Sequence, residues 1–139
     1  MDDLVRCLRK PPLEAALDQN LSKLGDSLLN LIYSLSLSLA KGDPTGGRIP
    51  NTVLARAASY SSHRNLVPRR SDSHRKGDIV EAIFAYAWLK GFLEIGDGAE
   101  FIARNLSSPG RRIDREQYAR ALSQLMDKML DAMGVRQDA

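Results

Sequence analysis

The chain has 139 residues, 43% hydrophobic and 27% charged, the composition of one ordinary globular unit with a core of its own. Its net charge of +3 favours a polyanionic partner without requiring one, and its single cysteine, Cys7, excludes an internal disulfide framework and a cysteine-rich zinc site. No apolar run approaches the roughly 20 residues of a membrane span, and the opening MDDLVRCLRKPP lacks the layout of a signal peptide, so the expected setting is reducing and cytoplasmic, with no membrane partner.

Asp2 to Lys10 reads as a short amphipathic helix stopped by Pro11-Pro12, and Pro12 suits the first turn of a second helix running towards Asn20. From Leu21 to Lys41, Leu24, Leu28, Leu31, Leu35 and Leu39 recur at helical spacing and predict one buried face. The run Tyr33-Ser-Leu-Ser-Leu-Ser-Leu-Ala40 alternates like a strand. It continues a longer helical pattern without turn residues, however, and length decides for helix. Its serines are expected on the helix flanks, where small side chains admit close neighbours. Gly42 to Gly47 is a loop by composition. With Arg48 it imitates the glycine spacing of a phosphate-binding loop, but Arg48-Ile49 stands in place of Lys-Ser/Thr and no strand precedes it. Pro50 opens a helix through Ser61, and a basic connector from His63 to Lys76 leads into a long helix from about Ser73 to Lys90. Asp97 to Glu100 has capping-box spacing and predicts a helix to about Ser107, broken by Pro109-Gly110. Asp114 to Gln117 caps a last helix, striped by Tyr118, Leu122, Leu125, Met129 and Met133 and ended by Gly134. The expected fold class is all-α: one domain over residues 1–139, with about six helices and short loops.

Two of these helices carry acid among core-type residues. Asp26 follows Gly25 near the head of the leucine-rich helix, and Asp78 follows Gly77 in the helix after the connector. Asp78 and Glu81 share one helical face, surrounded by Ile79, Val80, Ile83 and Phe84. Glycine lets helices approach, so a crossing at Gly25 and Gly77 would bring Asp26, Asp78 and Glu81 together. Clustered carboxylates raise each other's pKa, and a divalent cation relieves the repulsion. Oxygen ligands with water suit Mg²⁺ or Mn²⁺, which keeps positions open for phosphate oxygens and can activate water. The plainer alternative is a helix cap plus a solvated acidic face.

Leu24-Gly25-Asp26-Ser27-Leu28-Leu29 is similar to the Leu-Gly-Asp-Ser-Val-Leu core of the ribonuclease III signature. Lys76-Gly77-Asp78-Ile79-Val80-Glu81-Ala82 resembles that family's second motif, a Lys followed by Ala-Asp, two residues and Glu-Ala, and the order and separation of the two also fit. The resemblance covers roughly Leu13 to Gly91 and is strongest to compact forms, archaeal ribonuclease III-like proteins and Mini-ribonuclease III, which lack a separate double-stranded-RNA-binding domain. It implies an all-helical endonuclease domain that forms a homodimer around double-stranded RNA. It also implies Mg²⁺ (Mn²⁺ as substitute) bound by Asp26, Asp78 and Glu81, with Asp26 and Glu81 foremost in catalysis. Attack by activated water would leave a 5′ phosphate and a 3′ hydroxyl. The longer enzymes carry two further glutamates before the signature aspartate, where this chain has Gln19 and Ser22.

The resemblance gives the connector a use. Arg64, Arg69, Arg70, Arg75 and Lys76 would hold RNA phosphates beside the catalytic acids, reading shape rather than bases. His63 and His74 lack zinc-ligand spacing and are expected in loops or on phosphates. Phe84, Tyr86 and Trp88 are expected in the core or an interface. The expected activity is metal-dependent cleavage of double-stranded RNA in RNA maturation, ribosomal RNA precursors being one substrate. A catalytically weak RNA-binding or ribosome-assembly module, supported by Ser22 and Gln19, and an unrelated helical interaction protein are the alternatives.

Overall fold

The computed structural model describes residues 2–107 and 113–137. Among these residues lie seven helices and no strand: α1 (Asp2–Leu8), α2 (Pro12–Ala15), α3 (Gln19–Lys41), α4 (Asn51–Tyr60), α5 (Ser73–Leu89), α6 (Ile95–Arg104) and α7 (Arg115–Ala132). The all-α class is as expected, and the one-turn α2 takes the count past six. The helix expected from Pro12 to Asn20 stops at Ala15 because Asp18 starts a new one. Its carboxylate accepts the amides of Asn20 at 2.8 Å and Leu21 at 3.1 Å, capping α3. At the other end Gly42 adopts φ 78°, the left-handed cap that a glycine takes without strain.

The buried face of α3 is not the leucine stripe. Leu21, Ser22, Gly25, Leu28, Leu29, Ile32 and Ser36 face inward, whereas Leu31 and Leu39 are exposed and Leu24 and Leu35 half-buried. At about 100° per residue the true face lies roughly 80° round the helix from the stripe. Two of its positions are small or polar for good reason. Gly25 admits α5, and Ser36 Oγ lies 2.8 Å from the hydroxyl of the fully buried Tyr118. The latter ring also packs edge-on against Tyr33 at 4.9 Å between centroids.

Ser34 and Ser38 do more than leave room. With Asn30 they form a ladder that lays the segment 45–49 along α3. Ser38 Oγ accepts the Thr45 amide at 2.9 Å, Ser34 Oγ accepts the Gly47 amide at 3.0 Å, and Asn30 Oδ1 accepts the Ile49 amide at 2.9 Å. Ser34 Oγ also donates to the Gly47 carbonyl at 3.1 Å. Four helical residues rise about 6 Å and two extended residues about 6.6 Å, so each rung meets alternate residues of the segment. Ile49 is buried at the end of the ladder and Pro50 leads into α4.

At the centre is α5, buried at every position from Ile79 to Ala87. It packs chiefly on α3 and α4, with α1, α2 and α7 touching it, while α6 and α7 close the bundle against α3 and α4. Phe84 and Tyr86 are core residues, and Trp88 is 38% exposed. Glu94, not Asp97, caps α6, accepting the amides of Gly96 at 3.0 Å and Asp97 at 2.7 Å, and the helix ends at Arg104. Pro109-Gly110 lies outside the described residues. Asp114 caps α7, whose apolar stripe is buried through Met129. The connector is pinned at its start rather than loose. His63 is buried with Nε2 3.0 Å from Asp131 Oδ1, and the Arg64 amide donates to the Gln137 carbonyl at 3.3 Å.

Candidate active site

At Gly25, α3 lies directly against the main chain of α5. A β-carbon there would collide with the main-chain carbonyl of Glu81, and would lie 2.9 Å from its Cα. Gly77 does not share that crossing. It faces α4, where an added β-carbon would meet the side-chain oxygen of Asn51. The contact is therefore Gly25 on Glu81, one turn along α5 from Gly77, and it sets the Glu81 carboxyl beside the first turns of α3.

Asp26, Asp78 and Glu81 line one cleft of about 510 Å³, together with Ser22, Lys23, Arg48, Asn51 and His74. Their environments differ. Glu81 is 7% exposed, the side chain of Asp26 is 45% exposed, and Asp78 is exposed. Burial raises the Glu81 carboxyl most. A hydrogen bond with Asp26 and the negative charges of Asp26 and Asp78 raise it further, while the Ser22 hydroxyl opposes them, and the outcome is about 8. At neutral pH Glu81 thus keeps its proton and shares it with Asp26. Ser22 Oγ donates to Glu81 Oε1 at 3.4 Å, a neutral contact on the buried carboxyl. Gln19 is exposed in the first turn of α3, and the neighbouring Asp18 is occupied as the cap.

As the side chains stand, no three His, Cys, Asp or Glu residues among the described ones are gathered tightly enough to cage an ion. What the cleft has is a close carboxyl pair, Asp26 and Glu81, with Asp78 acting on it through charge. That donor set suits Mg²⁺, which is held by one or two carboxylates plus water and phosphate oxygens rather than by a full protein cage. Burial and the neighbouring acids disfavour the charged form of Glu81, a penalty that a divalent cation would relieve.

Four of the connector cations, Arg64, Arg69, Arg70 and Arg75, are exposed, and Arg70 holds φ 63°. Lys76 is half-buried, its Nζ 3.2 Å from Ser59 Oγ. None of the five lines the cleft; Arg75 borders a small adjoining cavity with Asp78. The basic residues that do line it are Lys23, Arg48 and His74. Arg48 Nη2 lies 3.7 Å from Asp26 Oδ2. It escaped the sequence reading because its glycine-rich context matches no phosphate-binding loop. The signal was the i, i+4 ladder of Asn30, Ser34 and Ser38, which has meaning only once the following segment lies along it.

A family model described as Ribonuclease III matches residues 19–135, which includes both acidic motifs and all of α3 to α7. No curated protein matches the chain.

Proposed function

The chain belongs to the ribonuclease III family, and from that premise we propose that it is a Mg²⁺-dependent endonuclease of double-stranded RNA, acting as a homodimer in RNA maturation, with ribosomal RNA precursors as one substrate. The observation that carries the reading is the Asp26–Glu81 pair, buried on one side and open to a cleft on the other. Asp26 and Glu81 would hold the metal directly, and Asp78 would add charge from the cleft wall. Bound there, Mg²⁺ supplies a Lewis acid that polarises the phosphodiester and lowers the pKa of water.

The chain's own residues do the rest. Glu81 would release its proton to cleft water on binding a cation, and Ser22 Oγ would keep its carboxylate oriented. Gly25 fixes the distance between the two helices that carry the acids. Arg75 borders a cavity that shares Asp78 with the site, and the exposed arginines of the connector would track the RNA backbone. Leu31 and Leu39, large apolar side chains left exposed on α3, offer area for a second copy.

The test is incubation of an end-labelled RNA duplex with the chain in Mg²⁺, Mn²⁺ or EDTA. Cleavage lost in EDTA and in Asp26→Asn and Glu81→Gln supports the proposal. The neutral Ser22 contact favours one second reading, an RNA-binding module with weak or no cleavage. Duplex binding without cleavage under every metal condition would establish it instead.

A further inference from the structure

Arg48 lies outside both acidic motifs, yet the fold goes to some length to place it. The rungs at Gly47 and Ile49 fix the main chain on either side of it, and the side chain of Ile49 is buried. The guanidinium itself is 82% exposed and only 3.7 Å from Asp26. An ion pair that exposed contributes little to stability, so the pair with Asp26 does not account for the anchoring. A fixed base carrying an exposed planar fork is what recognition of a phosphate needs. The position adds to this. Asp26 and Asp78 would repel an incoming phosphodiester, and Arg48 is the arginine that lines their cleft. A cation bound at Asp26 would compete for the carboxylate that now pairs with the guanidinium, which turns Arg48 towards other anions.

Resting on the endonuclease reading, we propose that Arg48 is a substrate-binding residue that takes a non-bridging phosphate oxygen of the RNA strand in the cleft and exchanges Asp26 for that phosphate when the metal binds. It is distinct from the connector arginines, which lie outside the cleft.

The test compares the full chain with Arg48→Ala and Arg48→Lys. Fluorescence anisotropy of a labelled RNA duplex is read across a range of KCl, with Ca²⁺ replacing Mg²⁺ to suppress turnover, and Mn²⁺ binding is read by electron paramagnetic resonance. Arg48→Ala is expected to weaken duplex binding about tenfold or more, the loss of one charge-assisted hydrogen bond. The slope of log K against log salt should fall by about 1. Arg48→Lys should keep the slope and recover part of the affinity. Mn²⁺ affinity in Arg48→Ala should equal or exceed that of the unmodified chain, since Asp26 loses a competing cation. Unchanged duplex affinity and slope in Arg48→Ala overturn the inference and leave the endonuclease reading intact. A parallel loss of Mn²⁺ affinity in both variants also overturns it, because Arg48 would then be shaping the acidic pair. If the unmodified chain binds no duplex RNA, the inference and the reading beneath it fall together.

Discussion

Gly25 and Gly77 look alike in sequence, each directly before an aspartate, but they meet different neighbours. At Gly25 a β-carbon strikes main chain, which cannot rotate away; at Gly77 it strikes the end of the Asn51 side chain, which can. Gly25→Ala is therefore expected to cost about 2–3 kcal/mol despite the better helix propensity of alanine, and Gly77→Ala to stay within about 1 kcal/mol of the unmodified chain, measured by urea unfolding. Glu81 gives a second prediction. Its folded-state value of about 8 lies above its ordinary 4.5, so the proton it holds favours the fold fully below 4.5, and that advantage is lost as pH rises through 8. In the absence of metal, Glu81→Gln should thus leave stability unchanged at low pH and raise it at pH above 8. A gain of about 1–3 kcal/mol is expected after allowance for screening in the open cleft. For the same reason Mn²⁺ affinity should climb with pH up to about 8 and then level off, which a calorimetric titration at several pH values would reveal. The acids themselves were legible from their motif spacing. The difference between the two glycines was not, since it depends on which atom of a neighbouring helix stands opposite.

At the scale of elements, the Asp114 cap located α7 well, its carboxylate accepting amides two and three residues away, and Asp72 caps α5 in the same manner through the Arg75 amide. Where two caps competed, local reading chose the wrong one. Glu94 accepts the amides of Gly96 and Asp97, so α6 is capped three residues before the Asp97 of the capping-box spacing. The α3 face was misplaced because a stripe of leucines outweighed Gly25 and Ser36, whose burial depends on partners 56 and 82 positions away, Glu81 and Tyr118. The ladder along α3 was likewise invisible, since its rungs join residues 7, 13 and 19 apart in sequence. It predicts that Ser34→Ala, which removes the rung on both sides of Gly47, speeds amide hydrogen exchange at Gly47 several-fold while exchange in α5 is unaltered. The stability cost should be about 0.5–1.5 kcal/mol, that of an ordinary hydrogen bond with water as substitute.

For the molecule as a whole, the surface carries more large apolar groups than the core pattern accounts for: Leu17, Leu31, Leu39, Trp88 and Phe92 are each more than a third exposed. A second copy of the chain would cover some of them, in keeping with the proposed homodimer. Sedimentation velocity should then give a dimer at micromolar concentration, and Leu31→Lys should move it towards monomer; a dimer indifferent to that change would place the interface elsewhere. The connector supplies a different consequence. Its first residues are fastened to groups near the opposite end of the chain, His63 to Asp131 and the Arg64 amide to Gln137. During synthesis the basic loop therefore leaves the ribosome well before its moorings do. If the connector meets RNA as proposed, its start is moored only after residue 137 has emerged, so a nascent chain would be poor at gripping the RNA around it.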